Sequence, residues 1–196
     1  MSRPSNPPAA VEPSPAAAAL AELFHHRWAV PTLAALSSGA VAGRFAPLMR
    51  RLGVARASLR RTLDSLEAQG LARPNPGYGH PLRPEIVLTP RGKALGPWCE
   101  GFVAAAERAQ VTDVAARKWS MPTLLAVHAG CDRFSTIQAA LEGVTARALT
   151  LALKELAEAG LLERVVYDDF PPSVRYRAAG AGRRLARVLA ELPDDG

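Results

Sequence analysis

Only two cysteines, Cys99 and Cys131, occur in 196 residues, and they form neither a CxxC pair nor a metal-type cluster. A disulfide-built scaffold is thereby excluded, and a reducing compartment is the simplest setting, so a cytoplasmic location is expected. Aromatic residues make up just 6% of the chain. The core must therefore be assembled from Leu, Val and Ala, and Leu and Ala also favour helix. No apolar run approaches the roughly 18 residues a membrane-crossing helix needs, so no span is expected. Residues 1–15 lack the apolar stretch behind a basic start that marks a signal peptide. Their prolines resist helix, and the segment is expected to be a disordered tail. Also missing are the constellations of an enzyme: there is no GxSxG, no phosphate-cradling glycine loop and no pair of carboxylates in a shared context. No cofactor and no metal are expected. His25 and His26 are adjacent, and on a helix they point about 100° apart, which does not suit a shared metal.

What is present is a basic excess. The net charge is +6, with 24 Lys and Arg against 18 Asp and Glu, and the pI is near 10.0. A polyanion is the natural partner, nucleic acid before an acidic membrane surface, although an Arg-rich solvated surface gives the same total. The excess is uneven. Residues 20–110 carry twelve basic and six acidic side chains, whereas residues 111–196 carry eleven of each.

The chain also repeats itself. RWAVPTLAALSSG from Arg27 matches KWSMPTLLAVHAG from Lys118, so that Trp28, Pro31, Thr32, Leu33 and Gly39 recur as Trp119, Pro122, Thr123, Leu124 and Gly130. Arg44 and Phe45 recur as Arg133 and Phe134. Val54, Leu59, Leu63, Leu66, Gly70 and Leu71 recur as Val144, Leu149, Leu153, Leu156, Gly160 and Leu161, and Gly92 and Leu95 as Gly182 and Leu185. The slips between blocks fall where loops are expected. Within each copy, a helix leads into the Trp and a short helix begins near the Pro, stopping before the Gly. A third helix starts at Arg-Phe, and a fourth carries leucines at i, i+4 and i+7, one apolar stripe of a 3.6-residue period. Beyond Gly160, LLERVVYDDFPPSVRYRA reads as strand, turn, strand. Its counterpart LARPNPGYGHPLRPEIVLT is richer in Pro and Gly, which predicts a shorter strand and a looser tip. A last helix follows, roughly 91–110 and 180–191, and a helix across 91–118 is expected to join the copies. Helices followed by a hairpin, with a helix-turn-helix inside, is the winged-helix arrangement. The fold class is therefore mainly α with small β-hairpins: two tandem winged helix-turn-helix domains, over 16–110 and 111–196, behind the 1–15 tail.

The second copy resembles the HxlR-type winged-helix transcription regulators. The resemblance is carried by Lys118-Trp119, Gly130 followed by Arg133-Phe134, Val144-Thr145 before RALTLALKEL, Gly160-Leu161-Leu162, and the wing FPPSVRY at 170–176. The first copy is more divergent but keeps Arg27-Trp28, Arg44-Phe45, Gly70-Leu71 and LTPRG at 88–92. Members of that family are typically single-domain chains that pair as homodimers. The resemblance thus implies that the fused copies form an intramolecular pseudo-dimer. Several members sense oxidants through a cysteine ahead of Lys-Trp. LFHHRW and DVAARKW have none there, so thiol sensing at that place is not implied.

A recognition helix packs one face on the core and turns the other toward base edges and phosphates. The outward candidates in the first copy are Arg56, Ser58, Arg60 and Arg61, with Arg50 and Arg51 on the preceding helix and His80 and Arg83 on the wing. The second copy offers Thr145, Arg147, Thr150 and Lys154, with Arg175 on its wing. Trp28 and Trp119 read as core anchors. Cys131, near Arg133 at a helix start, could carry a lowered thiol pKa or be purely structural. The function expected is a sequence-specific double-stranded DNA-binding regulator. Its operator would be an imperfect palindrome, most phosphate affinity would lie in the first copy, and repression by promoter occlusion is the default outcome. The alternative is a winged-helix module that docks on another regulator without specific DNA binding.

Overall fold

The computed structural model describes residues 12–41, 43–75, 85–168, 170 and 172–193. Four helices, α1 (Pro15–Leu23), α2 (Ala29–Ser37), α3 (Phe45–Leu52) and α4 (Arg56–Ala68), precede a hairpin of β1 (Ala72–Pro74) and β2 (Ile86–Leu88) and the long helix α5 (Pro90–Arg108). The same order of element types follows: α6 (Thr112–Ala115), α7 (Ser120–His128), α8 (Phe134–Ala140), α9 (Ala146–Glu158), β3 (Leu162–Tyr167), β4 (Ser173–Ala178) and α10 (Gly180–Ala190). The architecture is mostly helical with two small antiparallel sheets, consistent with winged helix-turn-helix folding. No helix among the described residues is long and apolar enough to cross a membrane.

Local chemistry explains the boundaries. Pro15 opens α1 where its missing N–H costs nothing, and the Ser14 hydroxyl accepts from the Ala17 N–H at 3.3 Å. The helix thus starts inside the segment expected to be tail. α4 and α9 both run into a glycine in the left-handed region, Gly70 at φ +67° and Gly160 at φ +66°, where a side chain would be strained. The final helices start against these turns. At Gly92 and again at Gly182, a Cβ would collide with a backbone carbonyl, that of Leu71 in one half and of Leu161 in the other. The register of the hairpins differs in extent: β1 pairs with β2 over three residues from Ala72 opposite Leu88, and β3 with β4 over six from Leu162 opposite Ala178. In both halves the second strand is also tied to the loop ahead of the third helix, Ile86 N–H to Gly43 O at 2.6 Å and Tyr176 N–H to Asp132 O at 2.7 Å.

One core runs through both halves. It joins Leu20 and Phe24 of the first helical segment and Trp98 and Phe102 of α5 to Leu124, Ile137, Leu149, Leu156, Leu185 and Leu189. α1 crosses to pack on α7, and the Ser14 N–H bonds the Ala140 carbonyl at 3.1 Å. α10 packs on both α7 and α5, and α2 lies along α5. Phe102 meets Phe24 edge-on with centroids 5.3 Å apart and stacks on Trp98 at 5.6 Å. Each such pair adds about 0.5–1.5 kcal/mol beyond area burial. The helix-turn-helix of the first half has its own smaller cluster of Ala35, Leu48, Val54, Leu59 and Leu63.

The continuous helix expected across 91–118 is interrupted. α5 ends at Arg108, Gln110 adopts φ 56°, and α6 begins only at Thr112. Gln110 takes the left-handed position that glycine usually fills after a helix. No glycine stands at 109–111 to signal the break.

Candidate nucleic-acid interface

The helix-turn-helix of the first half is α3, the turn Gly53–Ala55, and α4. Leu59, Thr62, Leu63 and Leu66 bury one side of α4. Thr62 is polar, and its hydroxyl donates to the Ser58 carbonyl at 3.0 Å, which satisfies it inside the helix. The opposite side presents Arg56, Arg60 and Arg61, all exposed, and Arg50 and Arg51 are exposed at the end of α3. None of these five makes an ion pair with another described residue. The Arg56 guanidinium lies 5.3 Å from the Phe45 ring centroid, so α3 orients the first arginine of α4 by a cation–π contact. Ser58 is half-buried, nearer the flank than the crest of the face. His80 and Arg83 lie outside the described residues.

In the second half α9 is built the same way, burying Leu149, Ala152, Leu153 and Leu156. The Thr145 hydroxyl caps the helix, accepting from the Ala148 N–H at 3.2 Å. Arg147 is exposed. The Thr150 hydroxyl donates back to the Ala146 carbonyl at 2.8 Å, which commits its proton inside the helix. Lys154 lies 3.7 Å from Glu158 one turn on, a solvent-screened pair. Leu151, which the sequence reading passed over, is 50% exposed at the middle of α9. It stands on the rim of a cleft lined by Phe24, His25 and Trp119. Its exposure was detectable from helical phase, since Leu149, Leu153 and Leu156 already occupy the buried stripe.

Arg175 is placed differently from an outward wing cation. Its Nη1 donates to Asp132 Oδ2 at 3.0 Å, and its guanidinium lies 5.1 Å from the Tyr167 ring centroid. It therefore braces the hairpin against the loop before α8. The exposed surface of that hairpin carries Val166, Tyr167 and Phe170 beside Asp168, an apolar and acidic tip rather than a basic one.

Trp28 and Trp119 are half-buried at the core edge, each beneath the cation that precedes it in sequence: Arg27 and Lys118 lie 5.0 Å from the respective ring centroids. His25 and His26 follow the end of α1 in a turn, with rings 4.9 Å apart and nearly perpendicular. The His25 pKa is lowered by partial burial and by Lys118 and His26. Among the described residues no group of His, Cys, Asp and Glu could hold a metal. The Cys131 thiol is pushed up, first by burial and then by the Asp132 carboxylate. A thiol activated by Arg133 is therefore not what the fold builds. Cys99 is buried in α5, and burial raises it strongly.

The family description "HxlR-like helix-turn-helix" matches residues 114–196. An uncharacterized HTH-type transcriptional regulator of Synechocystis, sll1512, is 35% identical over 82 residues, which is 42% of this chain and 61% of that protein. YdeP of Bacillus subtilis, another uncharacterized HTH-type transcriptional regulator, is 34% identical over 84 residues, 43% of this chain and 66% of its own. The chain thus spans less than two thirds of the length of these two relatives. No solved structure matches. The B. subtilis HTH-type transcriptional regulator YvaP is 31% identical over 83 residues, 77% of its length, and on that coverage the chain belongs to the HxlR-like helix-turn-helix family.

Proposed function

We propose that the protein is a sequence-specific double-stranded DNA-binding transcription regulator in which two winged-helix units, 16–110 and 111–196, act as an intramolecular pseudo-dimer. α4 and α9 are the recognition helices, entering successive major grooves about 34 Å apart. The observation that carries the reading is the face of α4: Arg56, Arg60 and Arg61 stand exposed and without ion-pair partners among the described residues, opposite a fully buried leucine row. Arginines held this way bridge guanine O6 and N7 or neutralise phosphates.

An approximate reciprocity between the halves supports the pseudo-dimer. In a two-fold arrangement, if residue i of one unit touches j of the other, then the counterparts of i and j touch as well. Arg27 pairs with Asp113 across the halves at 3.1 Å. Their counterparts in the repeat, Lys118 and Glu22, line one cleft together. Because the units are fused, pairing does not depend on protein concentration. The first unit supplies most of the phosphate affinity, the second reads a weaker half-site, and occupancy of a promoter represses it.

The test is binding of purified protein to its own upstream DNA and to random DNA across a salt series, with Arg56, Arg60 and Arg61 changed to Ala in parallel. The expected result is selective binding whose log–log salt slope falls by about 0.9 for each phosphate contact the substitutions remove. Equal, weak binding to both DNAs that the substitutions do not change would overturn the reading and favour a module that docks on another regulator, a role the neutral second half would suit.

A further inference from the structure

Aligned through the repeat, α4 and α9 have the same buried leucine row: Leu59 with Leu149, Leu63 with Leu153, Leu66 with Leu156. Their exposed rows share nothing. Arg56 stands opposite Ala146 in register, Ala57 opposite Arg147, Arg60 opposite Thr150, Arg61 opposite Leu151 and Asp64 opposite Lys154, and all ten are exposed. At each position the charge or hydrogen-bonding class changes. Packing has been held while the outward surface has been rewritten throughout.

We infer that the DNA element selected by this protein is directional: a guanine-bearing half-site under α4 joined to a thymine-bearing half-site under α9, read in one orientation only. The inference rests on the regulator reading above and names the ligand of that same surface. Arg60 and Arg61 present two guanidinium forks where guanine O6 and N7 are the matching acceptors, and Asp64 one turn later can accept from a cytosine amino group. At the same two positions α9 has no fork. The Thr150 hydroxyl donates its proton back to the Ala146 carbonyl and Leu151 is half exposed, so these two positions offer methyl groups in place of guanidinium forks. In the major groove the apolar feature is the thymine methyl. Arg147, the one cation on α9 without an ion pair among the described residues, sits three residues before Thr150 and adds a single fork at one end of that half-site. An inverted repeat of either half-site would match one helix and mismatch the other.

The experiment uses the full chain and a duplex library randomised over both half-sites, with bound duplexes sequenced after selection. Wild type is expected to enrich sites whose halves differ, one with guanines. Joining two copies of either enriched half as a palindrome should weaken binding at least about tenfold. A variant carrying Arg60→Thr and Arg61→Leu transplants the α9 surface onto α4. Both positions are exposed, and circular dichroism checks that the fold persists. It should lose the guanine preference in one half only and enrich sites whose halves are more alike. Enrichment of a palindrome by wild type, or an unchanged motif from the variant, would overturn directionality while leaving DNA binding intact. Failure to enrich any sequence, together with a flat salt response, would overturn the regulator reading itself and the inference with it.

Discussion

Trp98 Nε1 donates a 2.7 Å hydrogen bond to the carbonyl oxygen of Val188, and in the register set by Gly92 with Gly182 and Leu95 with Leu185, Val188 is the counterpart of Trp98. The bond ties α5 to α10 where the two helices pack, and under the proposed pseudo-dimer a contact between counterparts of this kind would lie beside the local two-fold axis.

Trp98→Phe keeps a ring against Phe102 but removes the indole donor and part of the buried ring system. Val188 O retains the Glu191 N–H at 3.2 Å, so the lost hydrogen bond accounts for about 0.5–1.5 kcal/mol, and the lost buried volume adds to it. Trp98→Ala also empties the stack and should cost about 3–5 kcal/mol. Urea unfolding followed by far-UV and near-UV circular dichroism checks both. Because the core runs through both halves, wild type should show one coincident transition with either probe. Separate transitions in wild type would mean that the halves fold independently.

Gly92 and Gly182 test the repeat at the level of backbone packing. α5 and α10 each begin in contact with the carbonyl of the leucine that follows α4 or α9, and neither helix start has room for a Cβ. Gly92→Ala and Gly182→Ala should each destabilise by about 1–3 kcal/mol, the usual range for overpacking. Gly180→Ala is the control, since a Cβ at Gly180 meets nothing within 4 Å. Thermal melts of the three variants should separate the first two from the third.

These contacts also show how far the sequence could be read. Helix starts at Phe45 and Phe134, the leucine rows of α4 and α9, and the longer second hairpin all followed from periodicity and turn residues, because each is a local property. The exposed arginines of α4 were legible for the same reason: the buried stripe fixes the opposite face. Arg175 was not, because its partner Asp132 lies 43 positions away, and only the pairing of β4 with the loop before α8 brings them together. Trp98 was passed over because its counterpart is Val188, and a repeat search rewards identity rather than complementarity. The break at Gln110 was missed because the residue holding the left-handed turn is not a glycine.

That break can be tested directly. A non-glycine residue at φ 56° carries a steric penalty of about 1–2 kcal/mol, partly offset in Gln110→Gly by the greater freedom of glycine in the unfolded chain. Gln110→Gly should therefore stabilise by roughly 0.5–1 kcal/mol, whereas the β-branched Gln110→Val should destabilise by at least about 1 kcal/mol. A raised melting temperature for the first and a lowered one for the second are the expected pair. If Gly lowered it, residues 109–111 would have to adopt a different turn.

The two cysteines should differ in how they respond to pH. Thiolate, not thiol, reacts with iodoacetamide. Burial and the Asp132 carboxylate both raise the Cys131 pKa, so the native fold keeps the proton on and the thiolate scarce at neutral pH. Alkylation of Cys131 should be slower than that of free cysteine at pH 7.5 and should rise about tenfold per pH unit toward its raised pKa. Asp132→Asn removes the carboxylate and leaves the Arg175 guanidinium unneutralised nearby. Both changes favour thiolate, so labelling at pH 7.5 should accelerate. Cys99, buried in the core and shifted further in the same direction, should label only on global unfolding, at a rate that follows the denaturant midpoint. Mass spectrometry of the native protein across a pH series distinguishes the two sites. Fast labelling of Cys131 at neutral pH, unaffected by Asp132→Asn, would mean that Arg133 rather than Asp132 governs the thiol.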